Sequence, residues 1–254
     1  MGVDEGHRPG SVDRSRSVYA VRFVVQSGMA RLPRLIVAGH PHLLSQRAQH
    51  GQAMVRDDVD RAALLALLQE AARANGVAVH AYAVLDSRLD LVVTADEANA
   101  LSRMMQLAAR RHAAAFNRRH LRRGSLWEGR FRAAVIEPGD WLLRCMIHVD
   151  QLGGRDASRD PRWSSEAAHM GDVADSWLVA PPVFWSLGNT PFERETAYRG
   201  RLEHPLASDE ARAIEAALRG GWPLGSVAFA ARLAERVLRP TTPRPRGRPR
   251  AKLP

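Results

Sequence analysis

The sequence predicts an α+β protein: a ferredoxin-like antiparallel sheet with helices on one face, followed by a C-terminal helical region and a disordered basic tail. Three observations lead to this prediction. Apolar residues alternate in two short segments joined by a turn, recur at helical spacing in two longer segments, and give the order strand-helix-strand-strand-helix-strand. A ferredoxin-like layer has this order, with a hairpin between its central strands.

The elements of the sheet layer follow one another up to residue 152. They are a first strand broken or bulged around Gly39 and Pro41 with apolar parts at 35–37 and 43–44, a helix between the Asp57-Asp58 and Asn75-Gly76 pairs, strands at 77–85 and 89–93, a helix at 97–120, a strand at 131–136 and a helix at 138–152. Alternation in the 89–93 strand places Leu89, Leu91 and Val93 on one face. Arg88 and Asp90 share the other face.

The remainder of the chain differs in composition. Residues 153–190 are rich in Gly, Pro, Trp and Asp and predict an irregular connection, after which apolar spacing predicts short helices at 191–203, 208–219 and 226–238. We divide the chain into a disordered extension at 1–28, a sheet domain at 29–152, the connection at 153–190, a helical region at 191–238 and a basic tail at 239–254. The tail has no hydrophobic period, so we expect it to be disordered when free.

Composition indicates the class of partner. Net charge is +10 and the isoelectric point is about 11.1, which favours a polyanion, with nucleic acid first. The single cysteine, Cys145, excludes an internal disulfide and a cysteine-based zinc site. We find no apolar run long enough for a transmembrane helix and no signal-peptide pattern in residues 1–28, so we expect no membrane association and a cytoplasmic location.

Several motifs occur together and in a fixed order. They are the opening at 29–42, Phe-Asn-Arg-Arg at 116–119, Leu-Trp-Glu-Gly-Arg-Phe at 126–131, Trp-Ser-Ser at 163–165, and the segment 216–225 that contains Leu-Arg-Gly-Gly-Trp-Pro-Leu-Gly. With these motifs, the chain from Met29 to Lys252 resembles the single-tyrosine HUH transposases, in the branch of REP-associated tyrosine transposases. The resemblance implies a ferredoxin-like fold, DNA as partner and a role in DNA transposition.

The resemblance also implies where chemistry would occur. In that family a strand segment reading approximately Met-Pro-Asn-His-x-His-Leu-Leu-Val binds a divalent metal such as magnesium or manganese through its two histidines. A tyrosine on the helix after the last strand attacks a phosphodiester of single-stranded DNA. Here Arg88 and Asp90 stand at the histidine positions, His148 stands at the tyrosine position, and Leu152 replaces a polar residue one turn later. A guanidinium cannot ligate a cation and repels it, so we expect no metal and no cofactor.

The predicted function is therefore that of a transposase-family protein which binds single-stranded or hairpin DNA without cleaving it. Arg88 and Asp90 either pair across a solvent-facing strand or leave Arg88 to contact a DNA phosphate, and His148 is expected to have a half-buried packing role. One alternative is an active transposase with a rearranged site, for which Asp86, Asp90 and His148 would form a substitute metal site. Another is an RNA- or protein-binding ferredoxin-like module.

Two groups of residues are expected to bind DNA. Arginines near the second long helix would follow a DNA backbone with Trp127 for base stacking, and together with Arg88 this set is Arg110, Arg111, Arg118, Arg119, Arg122, Arg123, Trp127, Arg130 and Arg132. The tail resembles an AT-hook, in which Gly247 permits close approach, Pro249 keeps the chain extended, and Arg246, Arg248 and Arg250 enter the minor groove of A·T tracts. The tail is thus expected to contact duplex DNA, unless it acts as nonspecific charge. A homodimer is one expected assembly.

Overall fold

The structure is a computed structural model, and it describes residues 33–154 and 160–242. The predicted N-terminal extension at 1–28 and the AT-hook residues Arg246, Gly247, Arg248, Pro249 and Arg250 lie outside the described residues.

The described residues form four strands and eight α-helices. The strands are β1 (Pro41–Arg47), β2 (Val77–Val84), β3 (Arg88–Ala95) and β4 (Arg132–Val135). The helices are α1 (Asp58–Ala74), α2 (Ala100–Arg119), α3 (Asp140–Gly154), α4 (Glu166–His169), α5 (Pro182–Trp185), α6 (Pro191–Leu202), α7 (Ser208–Gly220) and α8 (Val227–Arg236), with 3-10 turns at Gln49–Gly51 and Pro161–Trp163. No helix in these two described ranges is long and apolar enough to cross a membrane.

The four strands make one antiparallel sheet in the order β2-β3-β1-β4. Since β2 and β3 are joined by a hairpin and each pair of outer and inner strands is linked through a helix, this is the predicted ferredoxin-like arrangement. In the register of β1 with β3, Leu44 faces Leu91 and Ser45 faces Asp90. The α+β fold class is therefore confirmed.

The two main helices, α1 and α2, pack on one face of the sheet, as predicted. Leu89, Leu91 and Val93 of β3 point to this face and join a core with Leu64 of α1 and Met104 of α2. Asp57 caps α1 by accepting a hydrogen bond from the backbone N–H of Asp60, at 3.0 Å.

Helices also cover the opposite face, so the prediction of helices on one face holds only for α1 and α2. Val92 of β3 and Leu43 of β1 are apolar on this second face and need cover. They pack with Met146 of α3 and with residues of α6 and α7, such as Tyr198 and Ile214. Cys145, the single cysteine, is fully buried in this layer.

The segment before β1 was predicted wrongly as part of the first strand. Residues 35–37 form no strand, because their backbone finds other partners. The N–H of Val37 donates to Nε2 of His42 at 3.1 Å, while His42 Nδ1 lies 2.8 Å from the carbonyl oxygen of His40. Burial lowers the pKa of His42 to about 4, which keeps the ring neutral and able to accept this bond. Leu35 instead packs against α8.

The chain after α3 pairs with both edges of the sheet. At the β2 edge, the N–H of Val179 donates to Val79 O at 2.8 Å, and the N–H of Ser165 donates to Tyr82 O at 3.0 Å. At the β4 edge, the N–H of Leu224 donates to Val135 O at 2.8 Å. Residues from the predicted connection and helical region are thus hydrogen-bonded to the outer strands.

Candidate functional site

Arg88, Asp90 and His148, which sequence analysis placed at the family's catalytic positions, lie together between the sheet and α3. Arg88 and Asp90 share the face of β3 that α3 covers, as predicted. Nε of Arg88 lies 2.5 Å from Oδ2 of Asp90, so the predicted pair forms. It is not solvent-facing, because the Asp90 side chain is 0% exposed beneath α3 and the C-terminal helices.

A fourth member, Glu215 of α7, was missed by sequence analysis. Its carboxylate lies 2.9 Å from Nη1 of Arg88, 3.6 Å from Nη2 of Arg47 and 3.6 Å from Nε2 of His148. Glu215 and Arg88 are 127 residues apart, and no local pattern in the sequence marks the pairing. We call Arg47, Arg88, Asp90, His148 and Glu215 the Glu215 cluster.

Protonation in the Glu215 cluster follows from burial and charge. Complete burial raises the pKa of Asp90, and the Arg88 guanidinium opposes that effect. Burial alone would lower the pKa of Arg88, but Asp90 and Glu215 raise it above its usual range. His148 first, and then Arg88, hold the pKa of Glu215 down at about 2 despite partial burial. Arg88 therefore lies between two acidic side chains, Asp90 and Glu215.

The residues at the family's metal positions do not fit a divalent metal. The Arg88 guanidinium contacts both acidic groups and would repel a divalent cation beside them. Within the described ranges no group of three or more His, Cys, Asp or Glu side chains is arranged to hold a metal ion. The alternative site of Asp86, Asp90 and His148 is wrong, because Asp86 pairs with Nη2 of Arg61 at 2.6 Å.

The hydroxyls of both tyrosines in the described part of the chain are hydrogen-bonded to carboxylates. The hydroxyl of Tyr82 donates to Asp175 at 2.8 Å, and that of Tyr198 donates to Asp150 at 2.6 Å. Burial raises the pKa of both phenols above the usual range, with the neighbouring carboxylates adding to the effect. Both hydroxyls are thus held protonated and engaged.

Asp150 is the centre of a buried polar network that sequence analysis also missed. Its carboxylate accepts hydrogen bonds from Ser165 Oγ at 2.5 Å and Tyr198 Oη at 2.6 Å, and lies 2.7 Å from His169 Nδ1. All four side chains are buried. The donors come from the N-terminal cap of α4, from α4 and from α6, so Asp150 fixes the C-terminal region onto α3.

Besides Arg88, four of the arginines predicted to bind DNA have protein partners. These contacts are Arg111 with Glu70 at 2.5 Å, Arg119 with Asp57 at 2.7 Å and Asp60 at 2.5 Å, Arg122 with Gln52 at 2.5 Å, and Arg132 with Glu128 at 3.6 Å. By contrast, four are exposed and have no ion-pair or hydrogen-bond partner within the described residues. They are Arg110, Arg118, Arg123 and Arg130.

Trp127 anchors the loop that follows α2. Its indole N–H donates to the carbonyl oxygen of Ala109 at 2.9 Å, and its half-buried ring lies 5.9 Å from the His112 ring, centroid to centroid. The ring is therefore held against α2 instead of standing free on the surface.

A basic surface forms where α2 ends. The guanidinium carbons of Arg56 and Arg122 lie 5.8 Å and 5.6 Å from the centroid of the Phe116 ring, which brings the two arginines to one place. Arg118 is in the last turn of α2, and Arg123 follows Arg122. We call Arg56, Arg118, Arg122 and Arg123 the α2 basic surface; Arg56 was not among the predicted residues.

The nearby acidic groups do not neutralise the α2 basic surface. Asp57 and Asp60 are both bonded to Arg119, and His120 Nε2 lies 2.8 Å from Asp60. Hydrogen bonds from Arg119 hold the pKa of Asp57 below its usual range. Arg119 offsets one of these two carboxylate charges, and the four guanidiniums of the α2 basic surface outnumber the one that remains.

Comparison with known proteins gives two similar structures. Neither a protein-family model nor a curated protein matches this chain. A structure described as the REP-associated tyrosine transposase bound to a REP hairpin is 12% identical over 61% of this chain and 93% of that chain, with a TM-score of 0.44. A second structure, described as that of a transposase from Deinococcus radiodurans R1, is 20% identical over 43% of this chain and 88% of that chain, with a TM-score of 0.34.

Proposed function

We propose that this chain is a DNA-binding protein of the transposase family that binds single-stranded or hairpin DNA without cleaving it. The observation that carries the proposal is the α2 basic surface, whose guanidiniums remain in excess because Asp57 and Asp60 are bonded to Arg119. Clustered, uncompensated arginines gain affinity for a phosphate backbone by releasing its counterions. The family resemblance supports DNA as the polyanion.

The DNA contacts proposed around the α2 basic surface do not include Arg88 and Trp127. The guanidinium of Arg88 is occupied by Asp90 and Glu215, and the indole of Trp127 is bonded to α2. Arg110 and Arg130, which are exposed, extend the proposed contacts beyond the α2 basic surface.

The absence of cleavage is proposed from the Glu215 cluster. The positive charge of Arg88 opposes metal binding. Nε2 of His148 lies 3.6 Å from the Glu215 carboxylate, which competes with a DNA phosphate for this ring nitrogen. The two tyrosines among the described residues donate their hydroxyls to buried or half-buried carboxylates. Nothing in this arrangement supplies an activated nucleophile beside a bound phosphate.

Binding is tested by fluorescence anisotropy with a labelled single-stranded oligonucleotide at several salt concentrations. Replacing Arg118 and Arg123 by glutamine should make the negative slope of log K against log salt shallower by about 1.4, since each single-strand phosphate contact contributes about 0.7. The matched control replaces Arg201 and Arg212, which are exposed on α6 and α7, and should leave the slope unchanged. An equal change of slope in both double variants would rule out the α2 basic surface as the DNA-binding site. Stronger competition by RNA than by DNA would favour the RNA-binding alternative.

Cleavage is tested by incubating the protein with hairpin DNA and magnesium or manganese. We expect DNA that is retarded on a native gel and intact on a denaturing gel. A covalent protein–DNA adduct would instead identify an active transposase with a rearranged site.

The basic tail is proposed to add a duplex contact. Linking it to the folded part raises its local concentration at DNA, so deletion of residues 240–254 should weaken duplex binding and reduce the salt dependence. The loss should be larger on A·T-rich than on G·C-rich duplexes if Arg246, Arg248 and Arg250 enter the minor groove. Equal loss on both duplexes would indicate nonspecific charge.

A further inference from the structure

Glu215 lies where three cationic or donor side chains from different elements converge. Arg47 comes from β1, Arg88 from β3 and His148 from α3, and each of them lies within 3.6 Å of one Glu215 oxygen or the other. A carboxylate that gathers three such groups occupies the position of a bound anion. The α2 basic surface, by contrast, belongs to the helices on the other face of the sheet.

The donors around Glu215 are not fully used. His148 is more than nine-tenths buried, and its Nε2 makes no hydrogen bond within the described residues. Nη2 of Arg88 and Nε of Arg47 are also buried without a hydrogen-bond partner in the same ranges. A carboxylate has two oxygens, whereas a phosphate group has up to four and accepts bidentate bonds from arginine. A phosphate could therefore use donors that Glu215 leaves unpaired.

The charge of the site and its access to solvent are also compatible with replacement of the Glu215 carboxylate by a phosphate group. The formal charges of the site balance with Glu215 in place, since Arg47 and Arg88 offset Asp90 and Glu215. Without the Glu215 carboxylate the site would carry one excess positive charge before His148 is counted. The Glu215 side chain is 29% exposed and the Arg47 side chain is 38% exposed, so solvent reaches the site at both side chains.

We propose that Arg47, Arg88 and His148 form a phosphate-binding site that Glu215 occupies and blocks as an internal anion. The ligand is a phosphate group, either free or in a DNA backbone. This proposal goes beyond the DNA binding assigned to the α2 basic surface and does not depend on it.

The test is calorimetric titration with inorganic phosphate at constant ionic strength, for the full chain and for E215Q. Glutamine keeps the size of the side chain and removes its charge, so E215Q should bind phosphate at least about tenfold more tightly, the effect of one lost charge repulsion. The matched control is E210Q, because Glu210 lies on the same helix and pairs with Arg144 of α3 at 3.0 Å. E210Q should bind like the unaltered chain.

Further arms locate the site and distinguish the source of the phosphate. Adding Arg47→Gln to E215Q should cancel the gain. If E215Q binds oligothymidylate more tightly than the unaltered chain does, and the gain disappears when the oligonucleotide has a methylphosphonate backbone, the ligand is a DNA phosphate. If the gain is seen for inorganic phosphate alone, the ligand is a free anion. E215D, whose shorter side chain withdraws the carboxylate, should show a smaller gain and serves if E215Q does not fold. A folded E215Q or E215D with unchanged phosphate affinity overturns the proposal, as does a gain that survives Arg47→Gln.

Discussion

Asp150→Asn should destabilise the protein far more than an ordinary surface change. Oδ2 of Asp150 serves both His169 and Tyr198, and Oδ1 serves Ser165. The least costly orientation of asparagine keeps its oxygen toward His169 and Tyr198 and turns its amide toward Ser165. Two charge-assisted bonds then become neutral and one is lost, at roughly 1 kcal/mol each, which gives about 3 kcal/mol in total.

The assay is urea unfolding at pH 7, followed by circular dichroism and extrapolated to water. Asp140→Asn, an exposed change on the same helix, should stay within about 0.5 kcal/mol of the unaltered chain. Tyr198→Phe should cost about 2 kcal/mol alone and about 1 kcal/mol less in the Asp150→Asn background, because the two side chains share one bond. A free energy of unfolding for Asp150→Asn within about 0.5 kcal/mol of the unaltered chain would refute the reasoning.

Three further predictions concern titration and thiol reactivity. The pKa of His42 is lowered from 6.5 to about 4 in the folded chain. The free energy of unfolding should therefore decrease as pH falls from 6.5 to 4, by up to about 3 kcal/mol. In His42→Gln this decrease should be absent when urea unfolding at pH 7 is compared with urea unfolding at pH 4. The pKa of Glu215 is lowered from 4.5 to about 2, so its contribution is present above pH 4.5 and is lost as pH falls toward 2; the stability difference between E215Q and the unaltered chain should shrink over that range. Burial raises the pKa of the Cys145 thiol, so Ellman's reagent should label it at least ~1,000 times faster in urea than in buffer, and rapid labelling in buffer would contradict its burial.

Local patterns predicted most of the fold. Alternation in 89–93 and helical spacing in α1 and α2 depend on neighbours a few residues apart, so the sequence displays them directly. The face shared by Arg88 and Asp90 followed from the same alternation, whereas its position beside α3 was expected from the family resemblance. The error at 35–37 arose because an apolar triplet resembles a strand whether or not its backbone is paired.

The candidate site was predicted only in part, because its remaining members come from distant segments. Glu215 is one acidic residue among several on α7, and nothing near it in the sequence specifies Arg88 as a partner. Ser165 and His169 likewise look like ordinary polar residues until α4 packs beside Asp150. The alternative in which Arg88 and Asp90 pair on a solvent-facing strand was wrong about the solvent for the same reason. Glu215 of α7, which lies against Arg88, is 127 residues away in the sequence.

The hydrogen bonds at Val79, Tyr82 and Val135 limit how copies of this protein can associate. An exposed strand edge is a template on which another chain can add a strand, and that route leads to aggregation or domain swapping. Here residues after α3 are hydrogen-bonded to both edge strands, so these edges are not free to pair with a strand from a second copy. A fragment cut after α3 would present two bare edges and an uncovered apolar face. Such a fragment should precipitate, which makes the C-terminal half a solubility element for the sheet.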